Sequence, residues 1–304
     1  VIVSEAKQRF DLDISIDRGS VMYRETILAP VTGAGHFEPL RHYAEVHLEL
    51  SPLPVGEGLE FTTRCAEDAL DRNWQRLILS QLAESEMPGV LTGSPITDMR
   101  ISLIAGRAHL KHTEGGDFRE AAHRALRQAL MKSQSRLLEP WYDFRLEVPS
   151  ECIGRAIGDL RDMSADFESE VGEENVSVIS GVCPVSEMSD YAGELASYTG
   201  GRGRLTLKVK GYLPCHNERE VVERIGYDPA SDPANTADSV FCSHGAGRTV
   251  SWELADEYMH IDTGAGRETA APEPRLRRYS IDDRELEAIL EREFGPIRRR
   301  EYGT

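Results

Sequence analysis

The chain has 304 residues, of which 29% are charged and 40% hydrophobic, and its formal net charge is -17. This balance is typical of a globular protein of two or three domains, and no apolar run approaches the about 20 residues needed to cross a bilayer. The acidic charge excludes broad, non-specific adhesion to nucleic acid, since phosphate contacts supply most of that affinity.

The cysteines and the first residues indicate the compartment and the extent of the chain. Five cysteines, an odd number, are spread widely along the sequence, which argues against a disulfide framework and favours a reducing cytoplasm. The sequence has no initiator methionine and no basic start or small-residue cleavage site of a signal peptide. We therefore expect a cytoplasmic protein, and we interpret the sequence as an excised piece of a longer one.

Residues 1–29 predict the end of a helix, a strand at 12–16, a turn, and a second strand at 21–28. These elements are too few to fold alone, so we expect them to end a domain whose beginning is missing. The next segment, 30–39, combines prolines and glycines and predicts a linker or a mobile loop.

Residues 42–134 predict a β-β-α-β-α unit. In 42–50, four apolar residues alternate with glutamates and a histidine, which is the period of a strand with one solvated face. The same patterns predict a strand at 59–64, a helix at 68–84, a strand at 98–105 and a helix at 117–134.

Segment 107–116, between the last strand and helix of this unit, contains two histidines, a lysine and a Gly-Gly pair. A loop that regular structure holds at both ends is typical of a binding site. From 100 to 136, eight basic residues stand against three acidic ones, a local charge of +5. Two interpretations stay open: a solvated helix face, which charge alone slightly favours, and a tip that faces RNA.

The pattern changes at Trp141, where residues 141–212 predict the order β-α-β-β-α-β. This is the split βαβ, ferredoxin-like arrangement, in which two helices cover one face of an antiparallel sheet and leave the other face free for a partner. Its predicted elements are a strand through 144–148, a helix at 153–160, strands at 164–171 and 175–183, a helix from 186, and a strand at 203–212.

The last stretch, 215–304, is divided by prolines and glycines, and we expect no large independent core there apart from a helix at 282–294. Four zinc-type ligands lie in this stretch: Cys215, His216, Cys242 and His244. Together they could staple a segment that has few apolar residues. Their spacing matches no standard finger, so small buried cysteines with hydrogen-bonded histidines are the favoured alternative.

A series of motifs in order along residues 1–213 resembles the C-terminal half of the translational GTPases of the elongation factor G type. The closest resemblance is to the tetracycline-resistance ribosomal-protection branch. The motifs are VMYRETI at 21–27, AEVHLEL at 44–50, PLPVG at 52–56, LLEP at 137–140, IGDL at 157–160, PVSEM at 184–188 and YTGGRG at 198–203.

The resemblance implies an α+β, multidomain fold. It assigns 1–29 to the end of a ferredoxin-like domain III, and 30–136 to a domain IV like ribosomal protein S5 domain 2. It assigns 137–213 to a ferredoxin-like split βαβ domain V, and leaves 214–304 as a family-specific C-terminal extension.

The resemblance also implies a role in translation, as a ribosome-binding part whose domain IV loop enters the decoding region. The partners are then rRNA and ribosomal proteins, with no membrane and no DNA. Family members that dislodge tetracycline have Ser-Pro-Val where this chain has residues 110–112. The expected ribosome-contacting residues are Arg107, His109, Leu110, Lys111, His112, Thr113 and Arg119, where cations meet phosphates and His109 meets an exposed base.

No Gly-x-x-x-x-Gly-Lys-Ser/Thr loop occurs in the sequence, so this piece is not expected to be an enzyme. GTP and Mg²⁺ are expected in a missing N-terminal domain. No cofactor is expected in the piece itself, apart from zinc if the four candidate ligands bind it. The alternative function is a metal-stapled protein-interaction module with no ribosome role. An autonomous hydrolase would need a nucleophile elbow, Gly-x-Ser-x-Gly, which the sequence lacks.

Overall fold

The computed structural model describes residues 2–14, 19–171, 175–243 and 245–262. Within these residues the strands form one sheet of six strands and one of five, and both sheets belong to a single compact unit. None of the described helices is both long enough and apolar enough to span a membrane. The predicted helix at 282–294 lies outside the described residues.

The described residues form strands and helices in a mixed order along the chain. The strands are β1 (Arg24–Ile27), β2 (Val31–Phe37), β3 (Ala44–Pro52), β4 (Leu59–Thr63), β5 (Met99–Ala108), β6 (Ser135–Pro149), β7 (Asp166–Val171), β8 (Val176–Pro184), β9 (Arg204–Pro214), β10 (Ser239–Ser243) and β11 (Ala246–Val250). The helices are α1 (Ile2–Phe10), α2 (Arg72–Glu84), α3 (Gly115–Lys132), α4 (Ile153–Asp162), α5 (Val185–Met188), α6 (Tyr191–Thr199) and α7 (Glu218–Ile225).

The first sheet has the strand order β11-β10-β2-β3-β5-β4. Strands β2, β3 and β5 are antiparallel neighbours, whereas β4 runs parallel to β5 and is joined to it through α2. Apolar side chains of α2 and α3 pack with those of β3 and β5 in one core. The predicted β-β-α-β-α unit is therefore present, with one further strand, β2, ahead of it.

Strand β2 shows that the prediction of a linker at 30–39 is wrong. Most of the strand is buried, and it packs against α3. A Cβ atom at Gly33 would overlap the carbonyl oxygen of Ala125, and one at Gly35 would overlap that of Ala121. The glycines that suggested a loop instead allow a strand to lie close against a helix.

Strand β3 has no solvated face at its start, contrary to the sequence prediction. Glu45 and His47 are only 0% and 4% exposed, although both belong to the polar side of the alternation. The backbone N–H groups of His260 and Ile261 donate to the carboxylate of Glu45 at 3.0 and 2.8 Å. A segment from the far end of the described chain therefore covers this face.

The N-terminal residues differ from the prediction in one element. Helix α1 forms as expected. The sequence predicts a strand at 12–16, but residues 11–14 have no regular structure. Residues 15–18 lie outside the described chain. Strand β1 pairs antiparallel with the start of β6 and so belongs to the second sheet.

The second sheet has the order β9-β6-β8-β7, with β1 paired to the start of β6, and every pair is antiparallel. Helix α4 connects β6 to β7, and α5 and α6 connect β8 to β9, so the predicted ferredoxin-like order is confirmed. Apolar residues of the sheet and of these helices form a second core: Phe144, Leu146, Val148, Ala156, Leu160, Ile179, Cys183, Met188, Tyr191 and Leu195.

The described part of 215–304 adds to both sheets. Val221 of α7 packs against Leu137 and Cys215 beside the second sheet. Strands β10 and β11 form a hairpin whose first strand pairs with β2 at the edge of the first sheet. This stretch is short of apolar residues and is held by elements that precede it.

Candidate functional site

Residues 107–113, which we call the tip, end β5 and form most of the loop before α3. Thr113 Oγ1 donates to the carbonyl of Tyr43 at 2.6 Å and accepts from the N–H of His109 at 2.7 Å. The N–H groups of His112 and Thr113 both donate to the carbonyl of His109 at 3.1 Å. These bonds give the tip a fixed shape before any partner is bound.

Helix α3 begins at Gly115, and the predicted start at Asp117 is wrong. The carboxylate of Asp117 accepts the N–H of Glu114 at 2.8 Å and lies 2.9 Å from Nδ1 of His42. Asp117 is therefore the buried capping partner inside the first turn. An aspartate is favourable both at the N-cap and in the first turn, where it interacts with the helix dipole. The position of Asp117 in the sequence therefore does not distinguish the two.

The tip presents apolar and aromatic groups to solvent beside its cations. Leu110 is fully exposed, at 106%. The imidazole rings of His109 and His112 stack with their centroids 4.6 Å apart. A lone exposed leucine is ordinary on a protein surface, but here it adjoins stacked rings and two exposed cations, Arg107 and Lys111. The tip can therefore contact phosphates, bases and apolar groups together.

The structure sorts the eight basic residues between 100 and 136 into internal and available ones. Four are paired with acids: Arg100 with Glu60, Arg124 with Glu120, Lys132 with Asp256, and Arg136 with Glu218. Arg127 is buried and donates to the carbonyls of Pro88 and Gly89. Those that remain are Arg107, Lys111 and Arg119, which are exposed and have no ion-pair partner within the described ranges.

A groove of about 540 Å³ lies beside the tip. It is lined by Tyr43, Arg107, Ala108, His109, Leu110, Lys111 and His260. The Tyr43 ring has its centroid 6.3 Å from that of His109 and stacks on His260 at 5.8 Å. Burial, and then the nearby carboxylate of Glu45, raise the pKa of Tyr43, so its hydroxyl stays protonated near neutral pH.

The predicted contact residues occupy different positions around this groove. Arg107, His109, Leu110 and Lys111 line it, and His112 stacks on His109. Thr113 is half-buried and serves to hold the loop. Arg119 is exposed on α3 and is not part of the lining.

Two residues of the groove, Tyr43 and His260, lie outside the predicted segment 107–116. Tyr43 directly precedes β3, and no sequence pattern at that position indicates that its ring lies near His109 and His260. His260 lies in a stretch without periodicity, so no local signal places it near the tip. Only the path of the chain brings it there.

Buried polar groups support the groove from below. His36 Nδ1 lies 2.9 Å and His47 Nε2 2.8 Å from the carboxylate of Glu45. Burial alone would raise the pKa of Glu45, but the hydrogen bonds from His36, from His47 and from the N–H of His260 outweigh it and hold the pKa well below its usual range. Glu45 is therefore an anion at neutral pH that ties the base of the tip to the segment at 260.

The predicted zinc ligands fall in separate parts of the fold. Cys215 and His216 follow β9, and their ligand atoms group with Glu139 within 4.8 Å, whereas the exposed Cys242 lies in β10 of the other sheet. Burial raises the pKa of the Cys215 thiol to about 12. His244 lies outside the described residues. A zinc site on these four side chains stays a prediction.

Two family models match the chain in succession. The model described as elongation factor G, domain IV matches residues 19–134, and the model described as elongation factor G C-terminus matches 136–221. Residues 19–221 are thus similar to an elongation factor G domain IV followed by an elongation factor G C-terminus. The first match begins before the predicted boundary at residue 30, and the domain boundaries stay predictions.

Individual relatives agree with the two models. Elongation factor G from Aquifex pyrophilus is 26% identical over 228 residues, which are 73% of this chain and 33% of that protein. A crystal structure of a Thermus thermophilus protein shares the fold with a TM-score of 0.65 at 24% identity, over 73% of this chain and 34% of that one. The chain therefore spans about a third of the length of the proteins it matches.

Proposed function

We propose that this chain, with its elongation factor G-type domain IV and C-terminal domain, is the ribosome-binding part of a translation-factor GTPase. In this proposal the tip enters the decoding region of the small subunit. The observation that carries it is a set of exposed cations, without ion-pair partners in the described part of the chain, on a loop of fixed shape in a chain whose net charge is strongly negative. An acidic protein that reaches rRNA through one cationic tip avoids non-specific adhesion elsewhere.

The tip offers the contacts that structured RNA requires. Arg107 and Lys111 both line the groove, where they can meet phosphate oxygens. His109 and His112 already stack on each other, and either ring offers a face to an unpaired base. Arg119, on the exposed side of the first turns of α3, extends the cationic surface away from the groove.

The chemistry of the whole protein is part of the same proposal. The 304-residue sequence has no phosphate-binding loop, so GTP and Mg²⁺ would be held by another part of the protein. This chain would position that part against the ribosome in the cytoplasm. Membership of the tetracycline-resistance ribosomal-protection branch is proposed on the sequence motifs alone. Residues 110–112 differ from the Ser-Pro-Val of drug-displacing members, so the proposal does not include drug displacement.

Cosedimentation with 70S ribosomes across a salt series tests this role. We expect the Arg107→Ala/Lys111→Ala double variant to bind more weakly, with a salt slope shallower by about one for each phosphate that the variant no longer neutralises. The matched control is Arg100→Ala on the same strand, because Arg100 is paired with Glu60 and lies away from the tip. Unchanged affinity and slope for the double variant would show that the tip makes no phosphate contacts.

A second experiment tests the location independently of affinity. Leu110→Cys, in a Cys242→Ser background, carries a tethered iron-EDTA group at the most exposed residue of the tip. We expect cleavage of small-subunit rRNA at the decoding region. Cleavage confined to other rRNA sites would contradict the proposed position, even if the chain binds ribosomes.

A further inference from the structure

A cluster of histidines and glutamates lies where the end of β2 and the start of β3 meet the segment around residue 260. We call it the histidine-glutamate cluster: His36, Glu38, Glu45 and His260. His36 and Glu45 have fully buried side chains, whereas the Glu38 side chain is 24% exposed. The ring of His36 is held between Phe241, stacked at 4.3 Å, and Tyr43, edge-on at 5.2 Å.

The imidazole of His36 stands between two carboxylates. Its Nδ1 lies 2.9 Å from Glu45 and its Nε2 lies 3.2 Å from Glu38. Glu45 already accepts the N–H groups of His260 and Ile261 and a bond from His47, so it is fixed as an acceptor for the Nδ1–H of His36. In that tautomer, Nε2 presents a lone pair toward the carboxylate of Glu38, an arrangement that a cation between them would stabilise.

The distances fit a small divalent cation. The ligand atoms of His36, Glu38 and His260 all lie within 4.8 Å of one another. Two ligands bound to zinc at about 2.0–2.1 Å with tetrahedral angles are about 3.3 Å apart, which is close to the 3.2 Å between His36 Nε2 and Glu38. The hydroxyl of Tyr43, 3.1 Å from Nδ1 of His260, orients the third ligand.

The outer contacts also match those of metal-binding histidines. A ligating imidazole commonly donates its second N–H to a carboxylate, which fixes the tautomer and raises the basicity of the ligand nitrogen. Glu45 stands in that relation to His36. Two imidazoles with a carboxylate favour zinc or a similar transition metal, whereas Ca²⁺ and Mg²⁺ prefer sites built from oxygen ligands alone.

We propose that the histidine-glutamate cluster binds a divalent transition-metal ion of the zinc type through His36 Nε2, the Glu38 carboxylate and the imidazole of His260. Glu45 holds the second N–H of His36, and water completes the coordination. The ion fastens the segment at 255–261 to the ends of β2 and β3, directly below the groove of the tip. This site shares no residue with Cys215, His216, Cys242 and His244, and it does not depend on the proposed ribosome role.

Titration of the metal-free 304-residue chain with Co²⁺, monitored by calorimetry and by visible absorption, tests the proposal. We expect one site per chain, with the d–d bands of a four-coordinate nitrogen and oxygen site and no thiolate charge-transfer band. Glu38→Gln and His260→Gln should each weaken binding at least about tenfold, because even outer partners of a metal ligand are worth about 10–100-fold in affinity. Both side chains reach the surface, and circular dichroism verifies that the variants fold.

His112→Gln is the matched control, since it removes a histidine of the tip that is outside the cluster. Its Co²⁺ affinity should equal that of the wild type. Zn²⁺ should raise the midpoint of thermal unfolding of the wild type and of His112→Gln, and not that of Glu38→Gln. Absence of binding at micromolar Co²⁺, wild-type Co²⁺ affinity in both cluster variants, or a single site per chain whose thiolate band disappears in Cys242→Ser would each overturn the proposal.

Discussion

At the scale of single residues, pairing decides which charges are available to a partner. The segment at 100–136 carries a charge of +5 in sequence, yet four of its eight bases are paired with acids and a fifth, Arg127, is buried. Arg107, Lys111 and Arg119 remain. The available positive charge of this segment is therefore confined to the tip and the start of α3, where each phosphate contact adds to affinity.

The cysteines give a residue-scale prediction about reactivity. Cys183 is fully buried, and burial, followed by the charges of Glu187 and Glu139, raises the pKa of its thiol to about 12. Since only the thiolate is nucleophilic, Cys183 should stay unmodified by iodoacetamide at pH 8, while the exposed Cys242 is alkylated. Mass spectrometry of peptides from the native protein measures both sites.

The control for this prediction is the unfolded chain. In denaturant both thiols have the same access to reagent, and both should be alkylated. Raising the pH of the native protein toward 10 should leave Cys183 protected, because its folded pKa still lies above that pH. Alkylation of Cys183 at the rate of Cys242 in the native state would contradict the burial of its side chain.

At the scale of elements, α3 organises the first sheet. Its small residues Ala121, Ala125 and Ala129 face β2, and the glycines of β2 let the two backbones approach. The side chain of Gln128 also connects the two, accepting from the N–H of Ala34 and donating to the carbonyl of Trp252 at 2.8 Å. The tip directly precedes α3 in the chain and is therefore anchored to this rigid pair of elements.

The close approach predicts a large effect of Gly35→Ala. A Cβ atom there meets the backbone of Ala121 and Ala125 rather than a flexible side chain, so strand and helix must separate. Overpacking of this kind costs about 1–3 kcal/mol, and we expect a loss near the upper end in the free energy of unfolding. Urea unfolding followed by circular dichroism measures it.

Gly116→Ala is the matched control on the same helix. Nothing lies within 4 Å of a Cβ atom at Gly116, and its backbone is in a region that alanine adopts. Alanine should therefore be neutral or stabilise the chain by about 0.4–1 kcal/mol. Equal destabilisation by the two substitutions would show that the contact of β2 with α3 is not the cause.

At the scale of the whole molecule, a buried carboxylate connects the two sheets. Glu25 of β1, a strand of the second sheet, accepts the N–H groups of Leu91 and Thr92 from the loop that leads into β5 of the first sheet, both at 2.8 Å. Because this carboxylate joins segments that are remote in sequence and lie in different sheets, the two sheets should lose their structure together.

We therefore predict one cooperative unfolding transition for the described domains. Tryptophan fluorescence, which reports Trp74, Trp141 and Trp252, and far-ultraviolet circular dichroism should give coincident urea curves. Glu25→Ala should lower the free energy of unfolding by about 2–4 kcal/mol, because each buried donor left without an acceptor costs about 1–3 kcal/mol. Glu168→Ala, an exposed residue of β7, is the control and should change it by less than about 0.5 kcal/mol.

Two separate transitions would contradict this picture of the molecule. If fluorescence and circular dichroism diverged in the wild type, the sheets would be independent domains. If Glu25→Ala shifted only the transition of one sheet, its hydrogen bonds would stabilise a loop and not the junction.

The sequence by itself determined most of the elements between residues 42 and 212, and their order. Alternating apolar residues marked β3, β5 and β9, helical spacing marked α3, and turns separated them, because side-chain period and turn chemistry are local properties. The ferredoxin-like order and the position of the tip followed. The resemblance to elongation factor G also rested on short local motifs, and the family matches over 19–134 and 136–221 agree with it.

Only the tertiary structure decided which polar groups are buried and which residues meet at the groove. Glu45 looked solvated, but it is covered by a backbone N–H of His260, 215 positions away in sequence. Gly33 and Gly35 looked like a loop, but their lack of side chains serves the contact with α3. Burial and pairing depend on the path of the whole chain, which no window of residues contains.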